Sequence, residues 1–307
     1  MRIGVDLGGT KIETVVMDEA GHIRVRHRAD VPQGDYQGTV DTLVKLVKQV
    51  EQEAGVAGAH IPVGVGTPGA VSPYTGRIKG SNSLCLINQP LREDLEQALS
   101  RKVRLANDAD CFALSEATDG AAAGAPVVFG VIVGTGCGGG FTVNGQLLQG
   151  GNAITGEWGH NPLPGMLQDE LPGIDCYCGK KGCIETFISG TGFARDYNSH
   201  TGSNLTGKEV GTLLEKGDGE AEAAMQRYEH RMARALASII NVVDPHVIVL
   251  GGGMSNVARL YTNVPKIWDP YVFSDRVDTK LVKAKFGDSS GVRGAAWLWP
   301  HRELSDS

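Results

Sequence analysis

The sequence predicts an α/β protein made of two duplicated βββαβαβα domains with a cleft between them. Two observations carry that expectation. Apolar strands alternate with segments of helical periodicity along the chain. One strand-to-glycine-turn pattern also occurs twice, as GVDLGGT from Gly4 to Thr10 and as GVIVGTG from Gly130 to Gly136. At 307 residues the chain is longer than one core usually serves, in keeping with two domains. The expected division is an N-terminal domain over 1–119 and a larger domain over 120–290 carrying a loop-rich insert at 150–192. A C-terminal helix over 291–307 is expected to pack back on the first domain.

RIGVDL reads as an apolar strand, GGTK as its turn, IETVVMD as a second strand and HIRVRHRA as a third with alternating polarity. Val40, Leu43, Val44, Val47 and Val50 recur at helical spacing between Tyr36 and Ala54. IPVGVGTP is a buried strand ending in a Gly/Pro turn, LREDLEQAL a helix after Pro90, and VRLAN a short strand. Asp108 to Ala123 is a helix that Asp108 itself could cap. After the pattern restarts near Ala125, helices are expected over Lys208–Lys216 and Glu220–Val243. VIVLGGGMSN is then a strand with a glycine turn, and SSGVRGAAWLW a closing helix.

Hydrophobic residues make up 41% and charged residues 21%, with 43 glycines, and the formal charge is −6. An acidic chain without a Lys/Arg run is a poor phosphate-backbone binder, so nucleic acid is not expected as a partner. No apolar stretch approaches the ~20 residues of a membrane span, and MRIGVDLGGT has no basic leader region, so a soluble cytoplasmic protein is expected. Three of the six cysteines, Cys85, Cys111 and Cys137, are scattered singly and read as small buried hydrophobes.

Three glycine-rich turns follow apolar strands, at 7–11, 134–140 and 250–256. Glycine lets backbone N–H groups approach phosphate oxygens closely, and three such turns in a repeated α/β chain point to a nucleotide. None has the Walker spacing. Asp6 stands mid-strand where the second copy has Ile132; a carboxylate there is costly to bury and is expected to face the cleft and hold something positive. Asn107 and Asp108 lie at a strand-to-helix junction. An N-cap would account for Asp108 alone, but between phosphate turns it is also placed as a general base for an attacking hydroxyl. Glu157, His160 and Glu185 could hydrogen-bond several hydroxyls of a polyol. His160 with Cys176, Cys178 and Cys183 is the donor set of a closed, structural zinc site, the alternatives being a free-thiol loop or a redox pair.

GVDLGGTK, Asn107-Asp108, GTGCGGG, GEWGH with CYCGKKGCIE, and LGGGMSN together resemble the ROK family (repressor, open reading frame, kinase) of sugar kinases, over Arg2 to about Pro300. GExGH with CxCGxxGCxE is the specific part; the glycine turns belong to the wider actin, hexokinase and Hsp70 superfamily. The resemblance implies an actin/hexokinase-like (ribonuclease H-like) fold. It implies Asp108 as general base, with Asn107, Glu157, His160 and Glu185 on sugar hydroxyls and Asn82 on a loop over the sugar. It places Gly8, Gly9, Thr10, Lys11, Thr135 and Gly136 around the ATP phosphates, Gly251, Gly252 and Gly253 beside the adenosine, and Asp6 near Mg²⁺. A homodimer is usual in the family.

SPYTG, DGAAAGA, GHNPLP and DSSGVRGAAWLWP most resemble bacterial fructokinases, with N-acetylglucosamine kinases next. Fructose phosphorylation by ATP is therefore the expected activity and an amino-sugar kinase the alternative. Family members often carry Trp near the Asn82 loop, whereas Leu84, Cys85 and Leu86 stand here. The family's sugar-sensing repressors carry a helix-turn-helix before the first strand; here Met1 abuts that strand, so the repressor reading is disfavoured. A zinc-dependent nucleic-acid module is disfavoured by the acidic charge.

Overall fold

The structure, a computed structural model, describes residues 1–300. In chain order its elements are β1 (Arg2–Leu7), β2 (Lys11–Met17), β3 (Ile23–Asp30), α1 (Tyr36–Glu53), β4 (Val63–Thr67), β5 (Ala70–Val71), β6 (Ile78–Lys79), α2 (Leu91–Leu99), β7 (Val103–Asn107) and α3 (Asp108–Thr118). There follow β8 (Val127–Val133), β9 (Cys137–Val143), β10 (Gln146–Leu147), α4 (Ile184–Ile188), α5 (Gly190–Thr201), α6 (Gly207–Glu215), α7 (Gly219–Val243), β11 (Val247–Gly251), α8 (Leu260–Trp268), β12 (Lys280–Lys283) and α9 (Ser290–Trp297). The chain forms two compact α/β units. One comprises 1–124, 145–155 and the segment from 285 onward; the other comprises 125–144 and 156–284.

In the first unit a mixed five-stranded sheet runs β3-β2-β1-β4-β7. β1 pairs antiparallel with β2 and parallel with β4. β4, buried at every position, lies inside the sheet, whereas β3 at the edge alternates half-buried and exposed residues. Helix α1 starts at Asp35, whose side chain accepts from the Gly38 N–H, and buries Val40, Leu43, Val47 and Val50 against the strand core. Helix α9 lies directly on β1 and β4. A Cβ on Gly4 would overlap the Val292 carbonyl and one on Gly64 the Ala295 carbonyl, so both strands need glycine for the helix to approach. Arg2 donates to the Trp299 carbonyl at 2.9 Å, and the Trp299 indole donates to the Val63 carbonyl at 2.9 Å, which ties the chain end to the sheet. The helix ends at Trp297, ahead of Pro300; positions 301–307 of the expected C-terminal helix lie outside the described residues.

In the second unit β8 pairs antiparallel with β9 and parallel with β11, which pairs parallel with β12. The 25-residue α7 packs its Met225, Tyr228, Met232 and Leu236 into a core with Phe129, Phe141, Trp158 and Phe187.

Two expectations need correction. Helix α3 stops at Thr118 rather than Ala123, because the Glu116 carboxylate accepts from the Ala121 N–H at 2.8 Å and turns the chain at Gly120. The N-cap is Asn107, not Asp108. Among the lone cysteines, Cys111 and Cys137 are buried and Cys85 is half-buried, and none of the six cysteines is in a disulfide.

Candidate active site and metal centre

The first unit carries Asp6, Gly8 to Lys11, Asn82, Asn107 and Asp108. The Asn107 side chain accepts from the Ala109 N–H at 2.9 Å, and Asp108 Oδ1 accepts from the same N–H at 2.8 Å. Because Asn107 already caps α3, Asp108 falls on the first helical position with its side chain exposed. Asp6 stands opposite Gly66 in the sheet, and its Oδ2 lies 2.9 Å from where a Cβ on Gly291 would be. Burial first, then the like charges of Asp108 and Glu13, push Asp6 up to about 7 against the pull of Arg28. The turn between β1 and β2 is closed by the Gly8 N–H on the Lys11 carbonyl at 2.9 Å. The Lys11 ammonium pairs with Asp30 at 2.9 Å in solvent, which holds the Asp30 carboxyl below its usual value. Asn82 is exposed on the loop after β6, followed by Leu84, 78% exposed.

In the second unit the turn Gly134-Thr135-Gly136 joins β8 to β9. The Gly190 N–H donates to the Gly134 carbonyl at 2.7 Å and the Thr191 hydroxyl to the Thr135 carbonyl at 2.9 Å. Glu185 docks on the same turn. Its Oε2 accepts from the Cys137 N–H at 2.8 Å and lies 2.7 Å from where a Cβ on Gly136 would be, so glycine at 136 makes room for the carboxylate. Gly252, at φ 76°, turns the chain after β11 so closely that a Cβ there would meet Val133, the last residue of β8. Gly253 opens the 3₁₀ turn that follows.

The segment GEWGH lies flat on β9. A Cβ on Gly156 would overlap the Gly139 carbonyl and one on Gly159 the Cys137 carbonyl, while Trp158 is buried edge-on to Phe129 with centroids 5.4 Å apart. Burying residues 158 and 159 leaves Glu157 exposed and His160 half-exposed, which explains the spacing of the two polar groups. Beyond them, Leu163 N–H donates to the Gly182 carbonyl and Ile184 N–H to the Asn161 carbonyl, both at 2.8 Å, bridging Pro162, just after His160, to Cys183.

His160, Cys176, Cys178 and Cys183 converge, with their four ligand atoms all within 4.8 Å of one another. Cys178 Sγ is 3.7 Å from Cys183 Sγ, and Cys176 Sγ is 3.7 Å from His160 Nδ1. A tetrahedral zinc ion with Zn–S about 2.3 Å needs S–S edges of about 3.8 Å and S–N edges of about 3.5 Å. The donor set therefore fits zinc in a closed site. Burial and the neighbouring Cys178 and Cys176 thiols push Cys183 up to about 12, the cost of gathering thiolates that a bound cation would offset.

The sequence did not point to Tyr177, between two of these cysteines. Its hydroxyl is 3.1 Å from His160 Nε2, and its ring meets the imidazole edge-on with centroids 5.3 Å apart. The residue is largely exposed; partial desolvation and then the Glu185 charge push the phenol up to about 12. Also unforeseen is a buried ion cluster in which Arg231 and Arg234 of α7 meet Glu170 Oε1 at 2.9 and 2.6 Å, and Arg231 meets Asp196 at 2.6 Å. Arg234 further donates to the carbonyls of Pro164 and Gly165 at 3.1 and 2.5 Å, just beyond His160.

With this geometry, the comparisons with known proteins define the class. The ROK family profile matches residues 2–302. The chain is similar to an N-acetyl-D-glucosamine kinase of Photobacterium profundum, 40% identical over 302 residues, covering 97% of this chain and 99% of the relative. It superposes on a ROK hexokinase from Thermus thermophilus with TM-score 0.86 and 31% identity, covering 100% of this chain and 99% of that one. It also superposes on a ROK family glucokinase from Streptomyces griseus, solved with glucose and AMPPNP, with TM-score 0.76 and 27% identity over 97% and 98% of the two chains. The chain belongs to the ROK family, and its fold is the actin-like fold of that family.

Proposed function

We propose that this protein is an ATP-dependent sugar kinase that phosphorylates a hexose hydroxyl. Glu185 is the observation that carries the reading. One carboxylate oxygen is bonded to the Cys137 N–H of the GTG turn, so the residue expected to hold the sugar is joined to the turn expected to hold phosphate. Kinase relatives along nearly the whole chain support it.

In this reading Asp108 accepts the proton of the sugar hydroxyl as that oxygen attacks the γ-phosphorus in line, and the bond to the β,γ-bridging oxygen breaks to release ADP. Asn107, Glu157, His160 and Glu185 orient the sugar, and Asn82 covers it. Backbone N–H groups of Gly8, Gly9, Thr10, Thr135 and Gly136 receive the phosphates, Lys11 leaving Asp30 to join them, and Gly251, Gly252 and Gly253 border the adenosine. Asp6 would help to hold Mg²⁺, which would supply charge neutralisation at the transferring phosphoryl. His160, Cys176, Cys178 and Cys183 would hold zinc with four protein ligands, the donor set of a structural site. A homodimer working in the cytoplasm completes the proposal.

For the sugar itself, N-acetylglucosamine is favoured by the relatives at 38–40% identity, ahead of the fructose expected from the sequence. Fructose stays as a second reading on SPYTG, GHNPLP and the C-terminal DSSGVRGAAWLWP. Release of ADP measured with N-acetylglucosamine, fructose, mannose, glucose and N-acetylmannosamine separates them. The highest kcat/KM on N-acetylglucosamine supports the first reading, the highest on fructose supports the second, and no stimulation by any sugar removes the kinase.

A further inference from the structure

Tyr177 is the residue whose placement the kinase reading leaves unexplained. His160 Nδ1 faces the Cys176 sulfur at 3.7 Å, on the metal side, so Nε2 is the ring nitrogen left for the sugar. With Nδ1 as a metal ligand, Nε2 carries the ring proton and has one N–H to donate. The Tyr177 hydroxyl already stands 3.1 Å from that nitrogen. One N–H serves one good acceptor, so the phenol oxygen and a sugar oxygen exclude each other. The competitor is also easily moved. Tyr177 is 84% exposed, and the contacts that orient its side chain are this hydrogen bond and the edge-on meeting with the imidazole. Cys176 and Cys178 on either side belong to the metal cluster and fix the backbone, which leaves the side chain free to swing without disturbing the ligands.

We propose that Tyr177 is a built-in competitor for the sugar: its hydroxyl occupies the His160 Nε2 hydrogen bond in the free protein, must be displaced when sugar binds, and so sets sugar affinity. The inference rests on the sugar-kinase reading above. It makes Tyr177 a specificity-determining residue, because a sugar lacking an oxygen at this position has nothing to gain by displacing the phenol.

The test is Tyr177→Phe, which keeps the ring contact and removes the oxygen. Sugar affinity is measured by calorimetry and KM by ADP release, with zinc content determined for both proteins. Kd and KM should both fall about 2- to 12-fold, the range of one net hydrogen bond, while kcat stays within about twofold. Tyr177→Gly should lower them at least as far. Unchanged or weakened sugar binding in both variants, with zinc retained, overturns the proposal. Failure of the underlying reading looks different: the wild-type protein then neither binds nor phosphorylates any hexose, and the inference falls with it.

Discussion

Asp108, at the first position of α3, and Asp6, inside β1, are two acids of one unit with different surroundings. Asn107 caps α3, and Asp108 Oδ1 shares the same Ala109 N–H, a bond that the amide oxygen of Asp108→Asn can also accept. Its replacement should therefore cost chemistry rather than fold: Asp108→Asn is expected to lower kcat by at least about 10²-fold while calorimetric sugar binding persists. Asp6 carries a different signature. Its pKa is raised from 3.8 to about 7 in the folded protein, so the folded state binds this proton more tightly than the unfolded state does. The resulting stability is fully present below about pH 4 and is lost as the pH rises through 7. Asp6→Asn cannot ionise and should gain on the wild type in Tm between pH 5 and pH 8; a constant gap across that range would show that Asp6 titrates normally.

The insert around the metal centre depends on two separate fastenings. Zinc gathers His160 with three sulfurs, and α7 grips the backbone just downstream through Arg234 and the buried Glu170. Removing zinc by chelation, or Cys178→Ser, should raise the sugar KM and expose residues 160–185 to limited proteolysis. If sugar affinity is unchanged once zinc is shown to be gone, the metal does not position His160. Glu170→Ala should act through stability instead. It leaves two buried guanidinium groups without their shared carboxylate, which typically costs about 3–5 kcal/mol, read as a lower urea midpoint with zinc still bound. At the glycine turn, Gly136→Ala puts a methyl group 2.7 Å from Glu185 Oε2, so the carboxylate must leave the Cys137 N–H. Sugar KM should rise in this variant with the melting temperature little changed, since the turn is exposed.

Much of the architecture could be read from local pattern: β1 and β8 from their apolar runs into glycine, α1 from its repeat of valines and leucines, the metal centre from cysteine spacing. These signals are short-range, and so they survive without tertiary information. Helices α5 and α8 were not visible, because α5 opens on Gly-Thr-Gly and α8 contains Pro265, both of which read as breaks. The pairing of Glu170 with Arg231 and Arg234 spans 61 and 64 positions and exists only once α7 is docked. Tyr177 escaped for a related reason: the order Cys-Tyr-Cys names the ligands but not which imidazole nitrogen the residue between them will meet. The fold by itself does not fix the sugar, since one family scaffold carries different substrates by changing the side chains over the site. The central claim is phosphoryl transfer to a hexose with Asp108 as base, and sugar-dependent ADP release by wild type and Asp108→Asn side by side tests it most directly. Strong stimulation of the wild type by at least one hexose, reduced at least about 10²-fold in the variant, is the predicted result. Equal stimulation in both proteins, or none in the wild type, would contradict it.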